Sequence, residues 1–280
     1  MANEITTTSL TKLFNEMITD ISFTANENYI LKSLVKNVAA PMSSTVTQVP
    51  VYPTDTLAVA TAEGTDYSTN TDIVPTDLDL TVSEHVLMST LTDLSASVGN
   101  RNNIMDIITY LGQGVAMRQD QDITALFTSF STEKGPGAGA ELTPSDIFKA
   151  IASLRGNNVT GEIVAVLHPA QVYAVQSALT NSFIPQSSSA VAESVMRNGF
   201  VGELGGVQVF QSTSVQVDGS GDAIGAVFAR DAIALADRGV GTEIERNASL
   251  RASEIVTTGV WAEGILHNTY GVKLTSDSIV

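Results

Sequence analysis

The side chains able to move protons near neutral pH are few: His85, His168 and His267 are the chain's three histidines. A hydrolase relay needs one of them joined to a serine and an acid, and no G-x-S-x-G elbow is present to expose such a serine. Serine and lysine fall three apart at Ser9/Lys12, Ser33/Lys36 and Ser131/Lys134. That spacing seats a base beside a nucleophile in penicillin-binding enzymes, but the companion S-D-N and K-T-G motifs are missing. No HExxH or similar histidine spacing argues for a metal site. The run Gly135-Pro136-Gly137-Ala138-Gly139 shares only its glycines with a phosphate loop; it lacks the Lys-Ser/Thr pair and follows a helical segment rather than a strand. Asp218-Gly219-Ser220-Gly221-Asp222 has too few acids and no closing Glu for a calcium loop, and reads as a hairpin turn. His168 precedes Pro169 at a strand-to-helix corner, where a turn role is expected. The expectation is a protein that is not an enzyme and uses no cofactor or metal.

Composition sets the remaining bounds. The chain has 280 residues, long enough to bury a substantial core. Charged residues make up 16%, below the roughly 25% of ordinary soluble domains. Thr, Ser, Ala and Val take their place, as suits a surface largely covered by partners. The net charge of −16 excludes wrapping nucleic acid by neutralising phosphates, which needs clustered Lys and Arg. Without cysteine there is no disulfide framework and no thiolate site. The N-terminus lacks a basic start followed by an apolar stretch, so no signal peptide is expected. No apolar run approaches the roughly 18 residues of a membrane span.

The elements that must carry the function come next. Leu10, Leu13, Phe14 and Met17, behind caps at Thr6 to Ser9, and then Tyr29, Ile30, Leu31, Leu34 and Val35, predict two short docking helices in an N-terminal arm. From Lys36 to Arg101 there is no Lys or Arg, while Asp55, Glu63, Asp66, Asp72, Asp77, Asp79, Glu84 and Asp93 are scattered through the same stretch. Within it Thr47, Val49, Val51, Leu57 and Val59 alternate as an outgoing strand. Leu78, Leu80, Val82, Val86 and Met88 alternate as a returning one, with a Glu63-Gly64 turn and a polar tip between them. Such a two-stranded ribbon is marginal in water and needs another surface to lie on.

Residues 101 to 131 carry one apolar face from Ile104 to Phe130 and predict the longest helix, with Gly112 and Gly114 near its middle as a bend point. Thr143 caps a following helix with Pro144 in its first turn. Then come a strand, the His168-Pro169 corner, a helix, and strands on either side of Gly205-Gly206. From Gly239 onward several short strands are predicted: Glu243 to Arg246, Ser253 to Thr258, Trp261 to Leu266 and Gly271 to Leu274.

The order of these pieces, with EIVAVLHPAQVYAVQ, GELGGVQVFQSTSV, AVFARDAIALA around Asp231-Ala232, and NTYGVKL around Tyr270-Gly271, resembles the major capsid protein family of tailed phages, the HK97-like (Hong Kong phage) capsid fold. The resemblance runs over nearly the whole chain and implies an α+β fold. Its parts would be an N-terminal arm over residues 1–48, an extended β-ribbon E-loop over 49–83, a peripheral domain with a spine helix over 84–155, an axial domain over 156–238, and return strands of both domains over 239–280.

That resemblance implies self-assembly into pentamers and hexamers of an icosahedral head enclosing double-stranded DNA without sequence-specific binding. It implies a virion protein assembled in a host cytoplasm, with a portal and a decoration protein as partners. Many relatives carry a long helical scaffolding region at the N-terminus. The short arm beginning at Met1 leads to the expectation of a separate scaffolding protein. An encapsulin-type nanocompartment shell and a phage tail structural protein are the alternatives. With no base nearby in sequence, Asp55, Glu63 and Asp66 of the ribbon are expected to meet Arg101, Arg118, Arg246 and Arg251 of adjacent copies. Glu63→Lys is therefore expected to lower the yield of assembled particles in sedimentation; an unchanged yield overturns that contact.

Overall fold

A computed structural model describes residues 29–53, 58, 60, 62–64, 66, 73–93, 101–159, 161–180 and 200–278. The expected helix over Leu10–Met17 lies outside these residues. In chain order the elements are β1 (Lys36–Ala39), β2 (Val46–Val51), β3 (Thr76–Thr81), β4 (Ser83–Thr92), α1 (Arg101–Ala125), β5 (Thr132–Glu133), α2 (Pro144–Gly156), β6 (Ile163–Leu167) and α3 (Pro169–Thr180). There follow β7 (Phe200–Leu204), β8 (Val207–Gln211), β9 (Asp222–Ala229), β10 (Ile233–Asn247), β11 (Ala252–Ile265) and β12 (Gly271–Asp277).

The strands form three sheets, with orders β1-β10-β11-β4, β5-β12-β9-β6-β8-β7, and the pair β2-β3. Strand β6 reads Ile-Val-Ala-Val-Leu without alternation because it is covered on both faces. Ala165 and Leu167 join Val227, Ala229, Val272 and Leu274 under Ile147, Ile151 and Leu154 of α2 and Val172 and Val175 of α3. On the opposite face Val164, Val166 and Phe228 pack with Ile123 of α1, Phe127 and Phe130. Ile233, Leu235 and Trp261 belong to this second core, which joins the two large sheets.

Three local expectations are corrected. Tyr29–Val35 is not a helix: a single 3-10 turn at Leu31–Ser33 leads into β1, which runs parallel to β10 with Lys36 opposite Ala234. A helix this short is too weak to resist strand pairing and the burial of Leu31 and Val35. The ribbon's returning strand ends at Thr81: Val86 and Met88, expected in it, belong to β4, which pairs with β11 in the four-stranded sheet. The short strands expected from Glu243 to Leu266 are one hairpin of two long strands, β10 and β11, paired from Ile233↔Ile265 to Asn247↔Ala252. Its glycines disguise its length. Gly239 takes φ +88 at a bulge between Asp237 and Val240, and Gly259 lies under the Trp261 ring.

Turns and caps follow the sequence closely. The backbone N–H and hydroxyl of Thr143 both donate to the Asp146 carboxylate, at 3.2 and 2.6 Å, closing the start of α2. His168 Nδ1 accepts from the Ala170 N–H at 3.3 Å and caps α3. Gly205 and Gly206, at φ +62 and +81, form the two-residue turn between β7 and β8. The 135–139 loop is pinned rather than loose: Gly137 donates to Thr275 O at 3.1 Å and Gly139 to Asp222 Oδ1 at 2.7 Å.

Gln171 ties α3 to the six-stranded sheet. Fully buried, it accepts the His168 N–H at 3.1 Å, while its Nε2 lies 2.9 Å from Ala223 O, 3.2 Å from Leu274 O and 2.8 Å from Ser276 Oγ. An apolar replacement strands those partners without water. Gln171→Leu is expected to destabilise the fold by ~2–3 kcal/mol in urea unfolding; a loss within error of zero would mean the amide bonds contribute nothing net.

Candidate assembly surfaces

Asp120 on α1 holds the chain at Ile30 and Leu31, just ahead of β1. Its carboxylate accepts the backbone N–H groups of Ile30 and Leu31, each at 3.2 Å, and the residue is buried. Burial pushes its pKa up to about 6, against the lowering effect of the two N–H groups. Beside it Lys32 reaches Asp237 at 2.5 Å and lies 4.6 Å over the Tyr29 ring. Burial, then the charges of Asp237 and Asp120, push the Tyr29 hydroxyl upward. One buried acid thus fixes Ile30 and Leu31 against α1.

The ribbon is rooted on the opposite face of the four-stranded sheet. Register Val46↔Thr81 through Val51↔Thr76 puts Thr47, Val49, Leu78 and Leu80 on one side and Gln48, Pro50, Asp77 and Asp79 on the other. The first side packs on Ala234, Ala236 and Ala262. Small residues are needed there: a Cβ on Gly264 would stand 2.6 Å from Leu80 Cδ2. Arg238 donates to the carbonyls of Pro41 and Ser44, holding the loop that leads into the ribbon. An open groove of about 660 Å³ beside that loop is lined by Val38, Ala39, Ala40, Pro41, Ser44, Val46, Thr47 and Gln48, so it offers no acid or base.

The structure does bring a serine, a histidine and an aspartate together, a cluster that sequence spacing did not flag. Ser83 Oγ lies 3.0 Å from His85 Nε2, and Asp122 Oδ2 lies 3.7 Å from that same nitrogen. A relay needs the acid on the other ring nitrogen. Asp122 is moreover occupied by Arg118, at 3.0 Å, and by the indole N–H of Trp261, at 3.2 Å. The His85 ring stacks on Trp261 with centroids 4.2 Å apart. This is a packing arrangement that closes one side of α1 against β4 and β11. Among the described residues no group of His, Asp and Glu is placed to hold a metal ion, and no helix is long and apolar enough to cross a membrane.

The residues expected at contacts between copies are placed as follows. Glu63 and Asp66 are exposed. Asp55 and the side chain of Arg101 lie outside the described residues. Arg118 pairs with Asp122 in its own helix, and Arg246 forms a two-pronged pair with Asp93 at 2.6 and 2.7 Å, with Arg251 3.8 Å from the same carboxylate. The pair with Arg246 holds Asp93 below the usual carboxylate range. Gly112 and Gly114 lie within an uninterrupted helix. Gly114 has a packing reason: a Cβ there would meet Leu87 Cδ2 of β4 at 2.7 Å.

No family model matches the chain, and no curated protein matches it by sequence. The likeness is in three dimensions. A structure from Mycobacterium phage Che8 aligns with TM-score 0.65 at 17% identity, covering 89% of this chain and 91% of that one. The capsid of cyanophage P-SCSP1u aligns with TM-score 0.66 at 14% identity, covering 89% and 88%. A virus-like particle from Pyrococcus furiosus aligns with TM-score 0.61 at 9% identity, covering 93% and 98%. This chain has the HK97-like fold of phage capsid proteins.

The anchor at Asp120 is testable through pH. An acid whose folded-state pKa is raised binds its proton more tightly folded than unfolded. It therefore adds stability below its unfolded value near 4, and that stability is lost as the pH climbs through about 6. At ~1.4 kcal/mol for each tenfold change in proton affinity the loss is about 3 kcal/mol. Asp120→Asn carries no such change. Relative to the parent, the variant is expected to gain about 2 kcal/mol of that between pH 4.5 and 7.5 in urea unfolding; a pH-independent difference would overturn the assignment.

Proposed function

We propose that this chain is the shell-building capsid protein of a tailed double-stranded DNA phage, arranged as pentamers and hexamers of itself in an icosahedral head. The observation that carries the reading is the end-to-end likeness to capsid structures, at 88–91% coverage of the phage chains and 89% of this one. In this reading the four-stranded sheet with α1 forms the peripheral domain and α1 its spine helix. The six-stranded sheet with α2 and α3 forms the axial domain around a capsomer axis, α2 joining it rather than the peripheral domain expected over 84–155 because Ile147, Ile151 and Leu154 pack on that sheet, and the β2-β3 ribbon is the E-loop.

The physics supports the reading. The ribbon has one apolar side, seated at its root, and one acidic side carrying Asp77 and Asp79. A strand pair of this kind gains order by reaching a neighbour. Contacts spread over an arm, a ribbon and two domains can bury more than the ~1,600 Å² of an ordinary interface. A shell of net charge −16 per copy does not adhere to the phosphates of packaged DNA. The contact proposal pairs Asp55, Glu63 and Asp66 with arginines of neighbouring copies. Arg101 is one candidate; Arg118, Arg246 and Arg251 would exchange or share their present partners. Gly112 and Gly114 give α1 a place to bend as copies shift. A separate scaffolding protein, a portal and a decoration protein complete the partner set.

An encapsulin-type shell is the second reading, favoured by the 98% coverage of the Pyrococcus virus-like particle chain. Negative-stain microscopy of the expressed chain, alone and with a co-expressed scaffolding protein, is expected to show shells or capsomer rings. A monomer under all conditions overturns both readings. Closed shells that form without scaffolding and hold host enzyme rather than DNA favour the second.

A further inference from the structure

We propose that the outer edge of β4, with the sheet face it shares with β10 and β11, receives an extended segment of a different protein whose side chains alternate apolar and basic. The inference goes beyond shell assembly and stands without it. Register assigns the face. Met88 lies opposite Val256, which lies opposite Glu243; Val86 lies opposite Thr258; Glu84 lies opposite Val260; Thr90 lies opposite Glu254, which lies opposite Glu245. Directly opposed residues share one side of a sheet. The other side, with His85, Leu87, Gly259 and Trp261, is the one that meets α1. The ribbon root covers the first side only over Ala234, Ala236 and Ala262. Beyond that, Val86 and Met88 remain 58% and 57% exposed.

The edge is open in chemistry as well as position. Among the described residues β4 is the last strand of its sheet, ten residues long, and its sequence SEHVLMSTLT contains no Lys, Arg, Pro or Gly. Its pairing with β11 runs through ten consecutive residues without a bulge. Proteins normally place such devices on an edge to prevent strand addition. Their absence here leaves backbone groups and two apolar side chains available to an added strand.

Charge selects the occupant. Glu84, Glu243, Glu245 and Glu254 surround Val86, Met88 and Val256, and no ion pair involves them among the described residues. A neighbouring copy's ribbon brings Glu63, Asp66, Asp77 and Asp79 and no base at all between Lys36 and Arg101. Like charges directly opposed disfavour it. Elsewhere the chain has little to offer: among its described Lys and Arg side chains, Lys134 alone has neither an ion pair nor a hydrogen bond. Phosphates are repelled for the same reason as the ribbon. The complement is a basic, alternating strand from another chain.

The probe is a labelled eight-residue peptide of alternating Lys and Val, titrated into the full-length protein by fluorescence anisotropy. Amide hydrogen exchange is followed in parallel. Binding is expected to protect β4 amides. The double variant Glu243→Gln/Glu254→Gln is expected to weaken binding about five- to tenfold, as for two exposed charge pairs. The double variant Glu63→Gln/Asp66→Asn is expected to leave it unchanged. Equal loss in the two variants, or no protection in β4, would mean diffuse attraction to an acidic protein and overturns the proposal. Tighter binding of a peptide spanning residues 73–83 of this chain would make a neighbour's ribbon the occupant, and overturns it equally.

Discussion

The β10-β11 hairpin is the constraint on which the structure depends, because it must be apolar on both faces at once. On one face Ile233, Leu235 and Trp261 belong to the core that contains α1 and the back of the six-stranded sheet. On the other, Ala234, Ala236 and Ala262 seat the ribbon. A strand has period two, so alternate residues of a single chain segment serve two different partners. Large side chains fill the deep core; alanine and glycine stand where another strand pair must come close.

That division explains how segments that cannot fold alone are held. The segment from Ile30 to Ala39 is fixed by a buried carboxylate and by β1 lying along β10. The ribbon is fixed by small residues beneath it and by Arg238 across the loop that precedes it. These are local anchors at roots.

Much of this was legible in the sequence. The Thr143-Pro144 helix start, the Gly205-Gly206 turn and the His168-Pro169 corner depend on interactions within a few residues, so local chemistry decided them; the ribbon's alternation from Thr47 to Val51 and from Leu78 to Leu80 was legible from its period of two, although the strands pair across 25 to 35 residues. The Tyr29–Val35 segment and the β10-β11 strands were misread because distant partners decided them. Leu31 is buried against other elements, and glycines that broke the strand pattern, such as Gly259, are matched to side chains elsewhere in the hairpin. Of the expected contact residues, sequence identified which were acidic and which basic. It did not reveal that Arg118, Arg246 and Arg251 already have acids in their own chain.

The sequence by itself determined the acidic, cysteine-free composition, the absence of a base along the ribbon, and the order of elements that resembles a capsid subunit. Only the tertiary structure decided which face each strand presents and which charges are spent internally. It brought Ser83, His85 and Asp122 together without making a relay, and it left Val86 and Met88 uncovered on β4. Composition and alternation are properties of neighbouring residues; coverage and pairing depend on residues far apart in the chain, and only the folded arrangement brings those together.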